Sequence, residues 1–341
     1  MARDRNPRRK GRRVDHVHLT HPITPQSVFS DDVAAALHNA ALGVVEREGM
    51  KILLPEARSL FAQAGARVAK DMEFICRDIV QSAPQTAPRQ WRMRAANPAH
   101  ARLYAAGQAL FGSGAGCPNA TDLARGRRPG TLRDDLETLV LQQSFDVIHI
   151  LGPSVEPQDV PAPLRHYTMT QAQITRAEKP MFVYARGRAQ VQDSLHMIRL
   201  GLNLADDDWA SGVWAYTVIN TNAPRQLDNP MAQATLAVHA AGWLEGGLSF
   251  GSEEFISDIE ALQTLAKMCV RPGDTVDDFA LDALAEVPPG GHFFATAQRA
   301  TTILQRPRAD FQPPSHGPEA AARLAPYIAA RTAAGGAPQL D

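Results

Sequence analysis

The chain has 341 residues, 44% hydrophobic and 21% charged, with 24 Gly and 25 Pro. Such usage is that of a globular protein and excludes wholesale disorder or a collagen-like repeat. Formal charge is −1, but Arg3, Arg5, Arg8, Arg9, Lys10, Arg12 and Arg13 crowd the first thirteen residues, which leaves 28 basic against 35 acidic side chains elsewhere, a net −7. An acidic body repels phosphate backbones, so nucleic-acid binding is excluded as the main function.

Residues 1–25 read as a solvated, disordered basic arm with no apolar h-region behind it, and no run approaches the length of a membrane span. Three cysteines, Cys76, Cys117 and Cys269, are an odd number without C-x-x-C spacing, which fits reduced thiols in a cytoplasm. Residues 26–105 read as a helical N-terminal segment and linker. Ser30 offers an N-cap to a helix that carries Val33, Leu37, Ala41, Val44 and Val45 and closes at Gly49. A second helix follows Pro55, with Leu60, Phe61 and Ala64 inward and a stop at Gly65. A third covers Arg77 to Ser82, and 84–105 reads as the linker.

Residues 106–305 change rhythm. Buried strands are predicted near 109–112, 147–151, 181–185, 213–219 and 237–241, the first four at steps of 38, 34 and 32 residues. Helical sequence fills the gaps, as at Leu132 to Gln143 and Ala189 to Leu200, so the repeat is βα and the sheet parallel. A doubly wound sheet and a (β/α)8 barrel both fit that period. Only seventeen residues separate Ile219 from the run at Ala237, a cramped crossover. Amphipathic helices follow Ser252 and Asp274. The tail at 306–341 is rich in Pro and Ala, with one helix from Pro318 that is expected to be interrupted at Pro326.

Gly112-Ser-Gly-Ala-Gly116 superficially resembles a dinucleotide fingerprint, but no helix opens behind it, so it reads as a tight loop at a strand end. The imidazoles of His16, His18 and His21 beside Asp15 have metal-ligand spacing, yet they lie in the arm without a rigid surround, and no metal site is assigned. In Gly242-Trp-Leu-Glu-Gly-Gly247, Trp243 and Glu245 sit where a strand yields to its loop, an arrangement suited to a cationic ligand. Tyr216 and Asn220 share one face of a strand by the period of two. His292 is presented by the turn Pro288-Pro-Gly-Gly-His-Phe-Phe294.

Four stretches resemble one family, the trimethylamine methyltransferase family of corrinoid-dependent methyltransferases. They are Gly126-Arg-Arg-Pro-Gly-Thr131 with Asp134, Asn220-Thr-Asn-Ala-Pro-Arg-Gln-Leu-Asp228, His239-Ala-Ala-Gly-Trp-Leu-Glu-Gly-Gly-Leu248 and Pro289-Gly-Gly-His-Phe293. The resemblance runs from about Asp31 to Ile303 and implies a TIM (β/α)8-type barrel. Here the barrel would be incomplete, with about five parallel strands, because the chain jumps near Thr235 to Val238 from the helix after the fourth strand into the eighth. Implied chemistry is methyl transfer from a methylated amine or betaine to cobalt on a separate corrinoid protein, with no cofactor held by the chain itself. Glu245, Tyr216 and Asn220 are the candidate catalytic residues, and Trp243, Glu245 and His292 the candidate substrate-binding residues. A non-catalytic remnant serving in oligomerisation or corrinoid-protein docking is the competing reading.

Overall fold

The computed structural model of the chain describes residues 29–240 and 312–336, apart from 87, 89, 106, 107, 115, 185, 211 and 218–224. The expected basic arm, the Ser252 and Asp274 helices, and the stretches holding Asn220, Trp243, Glu245 and His292 lie outside the described residues.

Helix α1 spans Asp31–Arg47, with Ser30 accepting from the amide of Val33 and Asp31 and Asp32 in its first turn, where carboxylates oppose the positive helix end. It ends before Gly49, whose φ of 72° is the left-handed conformation glycine adopts most cheaply. Helix α2 (Pro55–Gln63) starts on a proline at its first position. It turns Phe61 toward Ile52, Leu54 and Ala57, but Leu60, expected inward, is exposed.

The N-terminal segment is less helical than its sequence suggests. Strands β1 (Met50–Ile52), β2 (Arg67–Ala69) and β3 (Met72–Phe74) form an antiparallel sheet in the order β1-β3-β2. Helix α3 (Arg77–Thr86) follows. The stretch read as a linker is a hairpin of β4 (Gln90–Met93) and β5 (Arg102–Ala105). Its four-residue strands are too short for a periodic signal, and only the cross-strand stack of Trp91 on Tyr104, 4.6 Å between centroids, shows why they pair.

A second hairpin, β6 (Asn119–Asp122) with β7 (Gly126–Pro129), leads into α4 (Leu132–Ser144). Then come α5 (Arg165–Arg176), β8 (Met181–Phe182), α6 (Arg188–Gly201), α7 (Asp206–Ala210) and β9 (Ala215–Tyr216). Strand β10 (Gln226–Leu227) pairs with β1 in parallel. Helices α8 (Asn229–Ala240) and α9 (Gly317–Ala333) complete the described elements.

Parallel bridges join Gly112 to Ile150, β8 to β9, and Met93 to Val213, and the amide of Leu151 donates to the carbonyl of Pro180. Five segments therefore run side by side in the order 111–112, 149–151, 181–183, 213–216, 93–94. The parallel βα array expected from the sequence is present at four of its five strand positions, and no β-bridge among the described residues joins its two outer segments. Ladder pairing is short because helix side chains occupy the backbone groups. The Gln173 amide brackets Phe182, accepting from its N–H at 2.8 Å and donating to its carbonyl at 3.0 Å. Gln142 brackets Gly152 in the same way.

Of the fifth expected strand, 237–241, the described residues 237–240 are instead the end of α8. Asp228 accepts from the amide of Met231 at 2.9 Å and Pro230 occupies the first turn, where its missing N–H costs nothing. Ala232, Ala234, Ala237 and Val238 are buried. Alanine has the highest helix propensity, so this apolar run satisfies both burial and local preference as a helix. The Pro326 interruption is also absent, since α9 runs through it to Ala333.

What carries α9 past that proline is Asp193, at 1% exposure in α6. Its carboxylate accepts from Tyr167 at 2.5 Å and Tyr327 at 2.7 Å and pairs with Arg331; His166 Nε2 lies 3.5 Å away. Around this node Tyr167, Val191, Leu195, Met197, Ile198, Ala320 and Leu324 form the main core. At the other end of the layer the Lys179 ammonium donates to the carbonyls of Gln142 and Phe145, closing the C-terminus of α4. No helix among the described residues is long and apolar enough to cross a membrane.

Replacing Asp193 by Ala strands the buried Tyr167 hydroxyl and the half-buried Tyr327 hydroxyl and frees a half-exposed guanidinium, and should lower unfolding free energy by about 2–4 kcal/mol, read from denaturant midpoints. Partners hold this carboxyl below the usual carboxylate range despite its burial. Its stabilisation is therefore present above that range and lost as pH falls through the lowered value.

Candidate active site

Because the five segments are parallel, their C-terminal ends share one edge. Met181, Val183 and Leu151 face the helices and belong to the main core. Met93, Ile150 and Val213 cluster apart, with Trp91, Tyr104 and Tyr216 packed on them. Phe182 meets Tyr216 edge-to-face at 5.2 Å, and Tyr184 lies 6.4 Å from Phe182. The array thus has a helix-covered face and an aromatic one, carrying Trp91, Tyr104, Phe182, Tyr184 and Tyr216.

The Tyr216 hydroxyl donates to the carbonyl of Leu151 at 2.5 Å, and burial raises its pKa. It therefore stays protonated, and offers a ring rather than a base. Burial also raises the Tyr104 hydroxyl. Trp91 Nε1 and Thr217 Oγ1 have no hydrogen-bond partner among the described residues.

The glycine loop closes against its neighbour. Amides of Gly116 and Cys117 donate to the carbonyls of Pro153 and Ser154, and Ser154 Oγ donates to the carbonyl of Gly114 at 2.9 Å. A side chain at Gly152 would place its Cβ 2.6 Å from the carbonyl oxygen of Ser113. Contact that close leaves no room for a pyrophosphate, in agreement with a tight loop at a strand end.

The motif Gly126 to Thr131 with Asp134 forms the rim beside this loop. Asp134 accepts from the amide of Thr131 at 3.1 Å and its hydroxyl at 2.8 Å, while the hydroxyl accepts from the Asp134 amide, a capping box that starts α4. Arg128 pairs with Asp134 and with Asp122 at 2.9 Å. Arg125 adds Asp122 at 2.6 Å and Glu137 at 2.8 Å. Despite burial, these hydrogen bonds and charges hold the Asp134 carboxyl below its ordinary range. Next to it Asp135 is equally buried with no such partner, and burial pushes its pKa up to about 7.

Of the residues singled out in the sequence, Tyr216 lies on the aromatic face, and Asn220, Trp243, Glu245 and His292 lie outside the described residues. Sequence reasoning missed Trp91, Tyr104, Tyr184 and Arg186. Phe182 and Tyr184 stand two apart on one strand, a signal that was available; Trp91 and Tyr104 were hidden in the supposed linker.

The trimethylamine methyltransferase (MTTB) family model matches residues 1–238 and 231–302. The chain belongs to the trimethylamine methyltransferase family. A glycine betaine methyltransferase of Desulfitobacterium hafniense (strain Y51) is 24% identical over 282 residues, 77% of this chain and 58% of that relative. A trimethylamine methyltransferase MttB of Desulfitobacterium hafniense (strain DSM 10664 / DCB-2) is 24% identical over 244 residues, 70% of this chain and 48% of that relative. The chain spans about half the length of these curated relatives. The two stretches of the family match meet at 231–238, inside α8 and around the position where the sequence suggests a jump.

Asp135 gives a test of this rim. With its folded pKa near 7 and its unfolded value near 3.8, the folded state holds the extra proton, so stability falls as pH rises from about 4 to 7. Asp135→Asn removes that slope. Relative to wild type, its unfolding free energy should gain up to about 4 kcal/mol across that interval, measured by denaturant titrations at pH 4, 5.5, 7 and 8.

Proposed function

We propose that the chain is a methyltransferase that takes a methyl group from a methylated amine or a quaternary betaine. The family match carries this reading, and the aromatic face at the strand ends supports it. A quaternary ammonium has no N–H, so ring faces, charge and shape are what can hold it. Its nitrogen is already a good leaving group, so no general acid is required, and the Tyr216 hydroxyl engaged with Leu151 is in keeping with that.

The methyl acceptor is a substrate, the cobalt of a corrinoid carried by a partner protein. The electron pair of the reduced cobalt forms the bond to carbon as the N–CH3 bond of a cationic donor, a quaternary betaine or a protonated amine, breaks; the pair of that bond stays on nitrogen and a neutral amine leaves. The chain must hold the cation, exclude water and aim one methyl group outward. Trp243, Glu245, Asn220 and His292 join Tyr216 in this assignment, with Trp243 and Glu245 on the ammonium. The fold is a TIM-type barrel lacking about three βα units.

The rival is a remnant that keeps the surface of a partial barrel without its activity. The family match in two stretches that meet at 231–238, where the sequence jumps, favours this second reading. Calorimetry of the full chain with glycine betaine, proline betaine and trimethylamine, followed by methylation of a Co(I) corrinoid, separates the two. The enzyme should bind at least one donor, and Trp243→Ala should weaken that binding about thirtyfold, the worth of a desolvated cation–π contact of about 2 kcal/mol. Glu245→Gln should weaken a quaternary amine far more than a neutral analogue. Absence of heat with all three donors together with absence of cobalt methylation selects the remnant.

A further inference from the structure

Three arginines stand at helix starts along the C-terminal edge, Arg165 opening α5 and Arg186 and Arg188 where β8 passes into α6, and two of them are paired. Arg165 holds Glu156 at 2.9 Å, and Arg188 holds Glu56 at 2.6 Å. Arg186 has no carboxylate within ion-pair distance among the described residues, and it is exposed. Its guanidinium carbon lies 5.1 Å from the centroid of the Tyr184 ring. Tyr184 is on the aromatic face, 6.4 Å from Phe182. The next residue, Gly187, has φ 86° and donates its amide to the carbonyl of Pro230 at 3.1 Å, which fixes the backbone that carries Arg186.

A fixed positive charge beside rings suited to a cation is a contradiction if the ligand is only a cation. Arg186 repels a simple alkylammonium and competes with it for the face of Tyr184. Both costs reverse if the ligand also bears a carboxylate, since a guanidinium fork binds a carboxylate with two charge-assisted hydrogen bonds. We infer that Arg186 is the specificity residue of this site and selects a zwitterionic methyl donor, a quaternary ammonium with a carboxylate, over a simple cationic amine. The inference rests on the methyltransferase reading and assigns the carboxylate end of its donor to Arg186.

The test titrates the full chain by calorimetry with glycine betaine, with its methyl ester, which keeps the ammonium and masks the carboxylate, and with trimethylamine. Wild type should bind glycine betaine at least tenfold more tightly than either of the others. Arg186→Gln should lower betaine affinity about tenfold and leave the ester unchanged or tighter, and Arg186→Lys should restore part of the loss, because charge without the fork remains. Arg188→Gln, which breaks a neighbouring surface pair, should leave the preference intact. Equal affinity of wild type for betaine and ester, or an equal loss of both ligands in Arg186→Gln, overturns the assignment of Arg186 while leaving the methyltransferase reading standing. No binding of any of the three ligands to wild type overturns both.

Discussion

One buried carboxylate holds the helical layer together. Asp193 collects two tyrosine hydroxyls and an arginine from α5 and α9 onto α6, and an unpaired charge at that depth would be far more costly than the pair. The strands depend on it indirectly. Ile174, Val191 and Ile198, which pack behind Met181 and Val183, keep their positions only while α5, α6 and α9 stay in register. Pro326 shows the same constraint, since an internal proline costs a helix about 3 kcal/mol, and the contacts of Tyr327 directly after it and of Arg331 in the following turn offset that loss.

The helical layer also determines the strands in detail. Gln142 and Gln173 reach from α4 and α5 to bond strand backbone, so amide groups that a regular sheet would pair between strands are satisfied from the side. Strands held this way present short ladders and a face on which no helix of the described residues packs. That face carries the aromatic residues, and the glycines at 112 and 152 let neighbouring loops close directly over its edge.

At the rim, local chemistry explains a motif that a family resemblance alone would leave unexplained. Thr131 and Asp134 start α4, and Arg125 and Arg128 bind the preceding hairpin to that start. These residues place the strand end and its loop, and among the described residues their ion pairs and hydrogen bonds stay within the hairpin and the start of α4. Asp135, buried beside them without a charged partner among the described residues, gives this region a pH-dependent stability opposite in sign to that of Asp193.

Much was legible in the sequence because it was written locally. Caps and stops marked α1 and α2; helical sequence between the apolar runs marked α4 and α6; apolar runs at steps of 32 to 38 residues marked the parallel βα array; and four short motifs marked the family. Tyr216 could be placed on a strand by its period alone. Tertiary structure decided the rest. Ala237 to Ala240 became helix because an apolar, alanine-rich run has no fixed period until burial on one side selects it. The hairpin of Trp91 and Tyr104 came from a cross-strand stack between residues thirteen apart, a contact no window of sequence contains. Leu60 turned outward because α2 is covered on one side only. Arg186 was one arginine among many in the sequence, and only the pairing of Arg165 and Arg188 with their own acids distinguished it, since the state of a charge depends on which neighbours the fold brings to it.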